Sequence, residues 1–398
     1  MSDDIFNIFV MLELITITST ILIIYKKDSH SLKAGIYYLL FNSVGMLFYL
    51  IGVIILYIKC GTLNLSYIHE IIDPSCYDSI LKTALIFLIG AFGVKSAIFP
   101  VYDWLPKAHS ASLTSVSALL SGLLVKTGII GLMKITIAFD CYNYSNVFLY
   151  IGIFTAFLGV IFAFSQKDIK QILSFHTVSQ IGLIMIAFSI NINIAVLYLI
   201  NHSIIKTLLF LDAGVIINQY KERRVNKINS LWINAPLLSV VLLIATMALA
   251  GLPFTNGFIS KTTLSSGITD YKLGILVIIN AFTFASMFKI LNILKGNEKI
   301  EISIDRRKYL SMSLLILVIL TTGIIFVDNY HLENTVLYYL SAKNLVKFAI
   351  EFALGMLIFR KIAFNELKIM KKIRHFSISF NDGIILLVFF ILILIYAF

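Results

Sequence analysis

Apolar runs of about twenty residues recur along this 398-residue chain, separated by short polar loops. Twenty residues of α-helix cross the roughly 30 Å of hydrocarbon in a bilayer. Inside that layer every backbone polar group needs an internal partner, so only helices and closed barrels can span it. The period-two alternation of a barrel strand is not seen, which leaves helices. The chain is 59% hydrophobic and 13% charged, whereas a soluble domain carries about a quarter charged residues. The fold class is therefore an all-α polytopic membrane protein. About twelve spans are predicted: 5–25, 33–58, 80–100, 112–138, 146–165, 169–190, 193–217, 233–257, 272–294, 308–328, 343–362 and 381–398.

The loops alternate in charge. The odd-numbered loops with their flanks carry 21 Lys and Arg, and the even-numbered ones about five. The positive-inside rule places the odd loops in the cytoplasm and both termini outside. The net charge of +11 thus reads as basic cytoplasmic loops in the cell membrane, with no nucleic acid as partner. Asp3 and Asp4 stand where a cleavable signal would be basic. Segment 360–376 is basic and amphipathic and is predicted to lie along the lipid headgroups. Cys60, Cys76 and Cys141 all fall in outer loops; a Cys60–Cys76 disulfide and unpaired thiols both remain open. No metal cluster, phosphate loop or dinucleotide fingerprint is present, so neither a metal nor a cofactor is expected.

Ionisable groups at membrane depth cost several kcal/mol and mark function by default. Glu13 lies about eight residues into the first span, Lys95 deep in the third and Lys126 in the middle of the fourth. His202 and Lys206 are four residues apart, on one face of a helix. Lys261 follows a segment interrupted by Gly and Pro. A chain of such groups can pass a proton by changing its pairings. The bland readings are structural. Lys206 would cap a carbonyl or pair with Asp212, His202 would be a packed histidine, and Lys261 would lie in a loop. Lys82, Lys134 and Lys289 are nearer helix ends and are expected to snorkel. Glu351 is expected to pair with Lys347, one turn away. Pro100 and Pro253 mark two broken helices, a pointer to a transport pathway.

The stretch AFGVKSAIFPVYDWLPKAHSASLTSVSALLSGLLVKTGIIGLMK resembles the core signature of the antiporter-like proton-translocating membrane subunits. These occur in respiratory complex I, in Mrp-type Na⁺/H⁺ antiporters and in energy-converting membrane-bound hydrogenases. SQKDIKQILSFHTVSQIGLI, NHSIIKTLLFLDAG and AGLPFTNGFISK continue the likeness, and DIFNIFVMLEL with CGTLNL is most similar to the D-type Mrp subunit. The resemblance implies two inverted five-helix repeats, each with one broken helix: residues 1–139, lacking the repeat's N-terminal helix, and 140–296, followed by C-terminal helices over 297–398. It implies a relay of Glu13, Lys95, Lys126, His202, Lys206 and Lys261 that moves protons or sodium ions within a larger complex. The partners would be other membrane subunits, a chain supplying the missing N-terminal helices among them, and any redox catalysis would be theirs. The alternatives are a self-sufficient Na⁺/H⁺ antiporter and a structural scaffold. The sequence departs from the family pattern at Lys107, where an acid is usual, in the proline-free AHSASLTSVSA, and at Phe175-His176-Thr177 and Gln180.

Overall fold

The structure, a computed structural model, describes residues 2–72, 79–139, 144–300, 302–328, 341–364 and 368–398. Cys76 and Cys141 lie outside these residues, so the disulfide reading does too; Cys60 is the last residue of its helix.

Among the described residues, nine helices are long and apolar enough to cross a membrane. They match nine of the predicted spans to within a few residues. The other three predicted spans also fold as helices, which their length or charge keeps out of that set. Helix α4 (Ser79–Lys95) and helix α12 (Pro236–Ala250) are 17 and 15 residues long, because each breaks before the predicted span ends. Helix α16 (Ala342–Phe364) is 23 residues long but carries Lys343, Lys347, Glu351, Arg360 and Lys361.

Two compact units divide the chain within α8 (Ser145–Ser165). Met1–Thr155 and Ser377–Phe398 form the first unit, and Ala156–Phe376 the second. In the first, α1 (Ile5–Ile24) and α4 pack on α2 (Ser29–Cys60). Asp4 and Asp28 cap α1 and α2 by accepting from Asn7 N (2.7 Å) and Ser31 N (2.6 Å). Asp3 pairs with Lys134 at 2.8 Å, and that ammonium holds its carboxyl below the usual range. The last helix, α18 (Phe380–Ala397), returns to this unit and lays Phe390 over Gly93 of α4. Lys82 donates to Phe398 O at 3.2 Å. Of the three lysines expected to snorkel, Lys82 and Lys134 thus hold the two chain ends against the first unit.

In the second unit, α9 (Ile169–Ile190) packs on α10 (Ile192–Tyr220), which also meets α12, α13 (Asn256–Ser266) and α15 (Arg306–Asp328). Helix α14 (Asp270–Leu291) packs along α16. Asp168 caps α9 and pairs with Arg223 at 2.9 Å, so the loops before α9 and after α10 are joined. Beside them, the backbone N–H groups of Arg224 and Arg223 hold the Glu222 carboxyl below its usual range. Lys289 donates to Phe164 O at 2.8 Å and to Gln166 O, both at the end of α8.

The prolines sit after the helix breaks, not at them. Helix α4 ends at Lys95, five residues before Pro100; Ala97 takes φ +55° in the linker. Pro106 lies in the first turn of α5 (Trp104–Ala111), where its missing N–H is tolerated. Helix α12 ends on Gly251 at φ +97°, two residues before Pro253. Lys261, one reading of which was a loop, is helical on α13. Gly257 lets α13 return against α12, since a Cβ there would come within 1.8 Å of Ala248 O, a backbone atom that cannot yield. Gly257→Ala is expected to cost about 3 kcal/mol or more, read as a lowered unfolding midpoint of the purified protein in detergent.

Candidate functional site

Lys95 ends α4 and is 1% exposed. Its Nζ donates to Leu12 O at 3.3 Å and to the Thr16 hydroxyl, both on α1. Glu13, half-buried on the same helix, lies within electrostatic reach of Lys95, but the ammonium's hydrogen bonds go to its neighbours Leu12 and Thr16. Acid and base are thus coupled through space. The α4 backbone beyond Lys95 is held by Trp104, whose Nε1 donates to Val94 O at 2.8 Å.

Lys126 is 3% exposed and follows a π-helical turn, Leu120–Leu124. A π turn shifts the hydrogen-bond register and is frequent at functional sites. The Lys126 ammonium folds back onto Ser121 O of that turn. Two residues on, Gly128 lies against the Lys95–Ser96 backbone; a Cβ there would meet Ser96 Oγ at 2.4 Å. The absent side chain therefore brings α7 (Val125–Ala138), with Lys126 in its first turn, against the end of α4.

In the second unit, His202, Lys206 and Lys261 are 2%, 0% and 6% exposed. Lys206 donates to Leu173 O on α9 at 2.6 Å, so the carbonyl-capping alternative describes it and the Asp212 pair does not form. Asp212 is fully buried, and among the described residues neither carboxylate oxygen has a hydrogen-bond partner. Lys261 donates to Ala250 O at 2.8 Å, the last residue of α12. Its ammonium so meets the negative end of the broken helix. Asn201, beside His202, donates to Asn256 O (3.1 Å) and Ser260 Oγ (2.9 Å) and fixes the start of α13. A cavity of about 10 Å³, close to one water in size, is lined by His202, Gln180, Tyr198 and Ser260. It places His202 one small void away from the residue preceding Lys261.

Three partners escaped the sequence reading. Thr16 had no signal beyond its spacing of three from Glu13. His176 was noted only as a departure from the family pattern; it is fully buried, its Nε2 lies 2.6 Å from Ser286 Oγ, and it is within electrostatic reach of both Lys206 and Lys261. Glu351 does pair with Lys347, at 3.9 Å, and accepts from Asn280 at 2.9 Å, as a local ion pair should. It also lies within electrostatic reach of Lys261. The site-bearing prolines, Pro100 and Pro253, lie in the linkers that follow each break. Lys107, at the position of a usual acid, pairs with Asp103, stands 3.8 Å over the Tyr37 ring and donates to Ile378 O just before α18.

Residues 2–288 match the family model described as NADH:quinone oxidoreductase/Mrp antiporter, TM. The antiporter subunit mnhD2 of Staphylococcus aureus (strain JH9) is 30% identical over 343 residues, covering 81% of this chain and 68% of that protein. A chain of the archaeal membrane-bound sulfane sulfur reductase superposes with a TM-score of 0.77 at 22% identity, over 89% of this chain and 74% of its own. A chain of the Mrp complex from Dietzia sp. DQ12-45-1b gives 0.71 at 24%, over 94% and 76%. Both structures share the fold.

The Thr16 hydroxyl is a test of the α1–α4 geometry. Thr16→Val leaves a buried ammonium short of one acceptor, a loss of about 1–3 kcal/mol. Ion flux through the assembled protein is expected to fall about tenfold, with Thr16→Ser close to wild type, measured in vesicles at equal protein.

Proposed function

We propose that this chain, which belongs to the NADH:quinone oxidoreductase/Mrp antiporter transmembrane family, is the ion-translocating subunit of a multi-subunit membrane complex. It carries protons or sodium ions along Glu13, Lys95, Lys126, His202, Lys206 and Lys261, with His176 and Glu351 as further members. One observation carries this reading: Lys95, Lys126, Lys206 and Lys261 are buried in an apolar bundle, and each donates to a backbone carbonyl. A neutral amine keeps two N–H donors and can still make that bond, although more weakly than an ammonium. The carbonyl therefore holds the side chain in place through a protonation change, and a carboxylate at a distance biases which form prevails. When Glu13 or Glu351 changes charge, the amine it faces gains or releases a proton without leaving its seat.

The fold supports two repeats, over 1–139 and 140–296, with 297–398 as an addition. Each of the first two contains one helix that breaks beside a lysine. Other membrane subunits are the partners, and α1 is where one would bind. It turns Phe6, Met11, Leu14, Ile17 and Ile21 outward, with Glu13 half-buried between that face and the core. The chain resides in the cell membrane with both termini outside. The N-terminal residues meet the loop after α2 through Ile5 N to Leu63 O at 2.9 Å, which keeps that terminus with a loop poor in bases. No chemistry on a covalent bond is assigned to this chain.

The test is ion movement by the intact complex in proteoliposomes. Lys95→Ala and Lys126→Ala are each expected to lower it by at least about a hundredfold, near 3 kcal/mol, with the complex still assembled. Unchanged flux in both would make the chain a scaffold. Na⁺/H⁺ exchange by the purified chain alone would make it a self-sufficient antiporter.

A further inference from the structure

Helix α16 carries Lys343, Lys347 and Glu351 at successive i, i+4 positions, and so along one face. Charge at membrane depth is costly, and a stripe of it on a spanning helix asks for a use. The stripe is graded. Glu351 is 4% exposed, Lys347 is partly buried, and Lys343 is exposed in the first turn. Two turns, about 12 Å of helix axis, separate Glu351 from Lys343.

Packing within the second unit joins the inner end of the stripe to Lys261. The Lys261 ammonium stands 5.9 Å from the centre of the Phe284 ring on α14. That ring lies edge-on to Phe348 (5.6 Å) and Phe352 (5.7 Å), which flank Glu351 on α16. Asn280, one turn before Phe284, donates to Glu351 at 2.9 Å. Gly355 allows this approach, since a Cβ there would fall 2.4 Å from Phe284 Cβ and 2.9 Å from Ala281 O. Glu351 is thus within electrostatic reach of Lys261 on one side and 3.9 Å from Lys347 on the other. Lys347 is in turn within reach of Lys343. A base, an acid and two further bases follow one another from the last member of the relay to the start of α16.

The opposite end of α16 carries Arg360 and Lys361 and is followed by the basic α17 (Lys368–Arg374). The positive-inside rule puts that end in the cytoplasm and Lys343 at the outer surface. An ion pair that only eases α16 into the membrane needs Glu351 and Lys347. It does not need the acid beside Lys261, nor a second lysine one turn further out.

We propose that this stripe is a proton-release branch, which takes the proton from Lys261 through Glu351 and Lys347 to Lys343 at the outer surface. It rests on the relay reading above and narrows it, because the ion on this branch is the proton. An N–H bond of the Lys261 ammonium breaks as an O–H bond forms on the Glu351 carboxylate, which leaves a neutral amine. The Glu351 acid then gives that proton to a neutral Lys347, and the carboxylate is restored. The Lys347 ammonium passes it to Lys343 and the water outside. Water bridges the steps longer than a hydrogen bond. A charge on Lys343 repels a second one on Lys347 and favours release. A sodium ion on the same path would meet two ammonium groups.

Proton movement by the intact complex is read in proteoliposomes with an entrapped pH-sensitive dye. Lys347→Arg keeps a cation beside Glu351 but cannot give up its proton. It is expected to lower the flux at least about tenfold, as is Lys347→Leu. Lys347→His, which still titrates, is expected to keep at least about a third of it. Wild-type flux in Lys347→Arg overturns the branch, since a fixed charge would then suffice. Equal loss in Lys347→Arg and Lys347→His overturns it too, since side-chain shape would then set the rate. If Lys347→Leu does not assemble, the Arg and His variants carry the comparison. Lys95→Ala separates the two readings. Loss there with wild-type flux in Lys347→Arg removes the branch and leaves the relay, whereas wild-type flux in Lys95→Ala removes the relay and the branch with it.

Discussion

An ammonium seated on a backbone carbonyl, inside a layer without water, is the interaction on which the rest of this protein depends. Four lysines do this at three kinds of place: across two helices at Lys95 and Lys206, onto a π turn at Lys126, and on the end of a broken helix at Lys261. A carbonyl is a strong acceptor with a fixed position, and it cannot itself change charge. It removes much of the cost of burying the amine while leaving open whether the amine is protonated. A carboxylate in contact would do the opposite and lock the ammonium form. Glu13 and Glu351 lie within electrostatic reach of Lys95 and Lys261, and among the described residues neither makes an ion pair with that lysine.

The need for such carbonyls explains the irregular helices. A regular α-helix uses every interior carbonyl, so spare acceptors arise at ends, at π turns and by sharing. Helix α12 stops at Ala250 and returns as α13, and that return carries Lys261 back to the buried Ala250 carbonyl. The return needs Gly251 in a left-handed conformation and Gly257 against Ala248 O. Glycine spacing, more than proline, makes the geometry.

Much of this was legible in the sequence. Hydropathy placed the helices because membrane depth sets their length, and it failed only where a helix stops within the membrane or carries its own charges, as in α4, α12 and α16. The buried bases stood out because any charge in an apolar run is costly. Their partners did not, since a carbonyl has no letter of its own, and Leu12, Ser121, Leu173 and Ala250 look like ordinary core residues. Proline suggested the breaks a few residues late, because it tolerates the linker and does not cause the stop. Glu351 could be read from its spacing as the partner of Lys347, but its facing of Lys261 joins residues ninety positions apart and is set by the packing of α14 on α16. His176 was hidden by its setting, a histidine among small polar residues on a helix buried on every side.

The return of α18 to the first unit has a consequence for biosynthesis. Residues up to Thr155 leave the ribosome long before Ser377–Phe398, the segment that completes their unit. At about 5–20 residues per second, the gap is roughly 10–40 s. During that time the glycine-bearing face of α4, with Gly90 and Gly93 waiting for Ile391 and Phe390, has only lipid or an insertion chaperone beside it. The unit that holds Glu13, Lys95 and Lys126 is therefore begun first and closed only when α18 arrives, so its packing waits on the synthesis of the whole second unit.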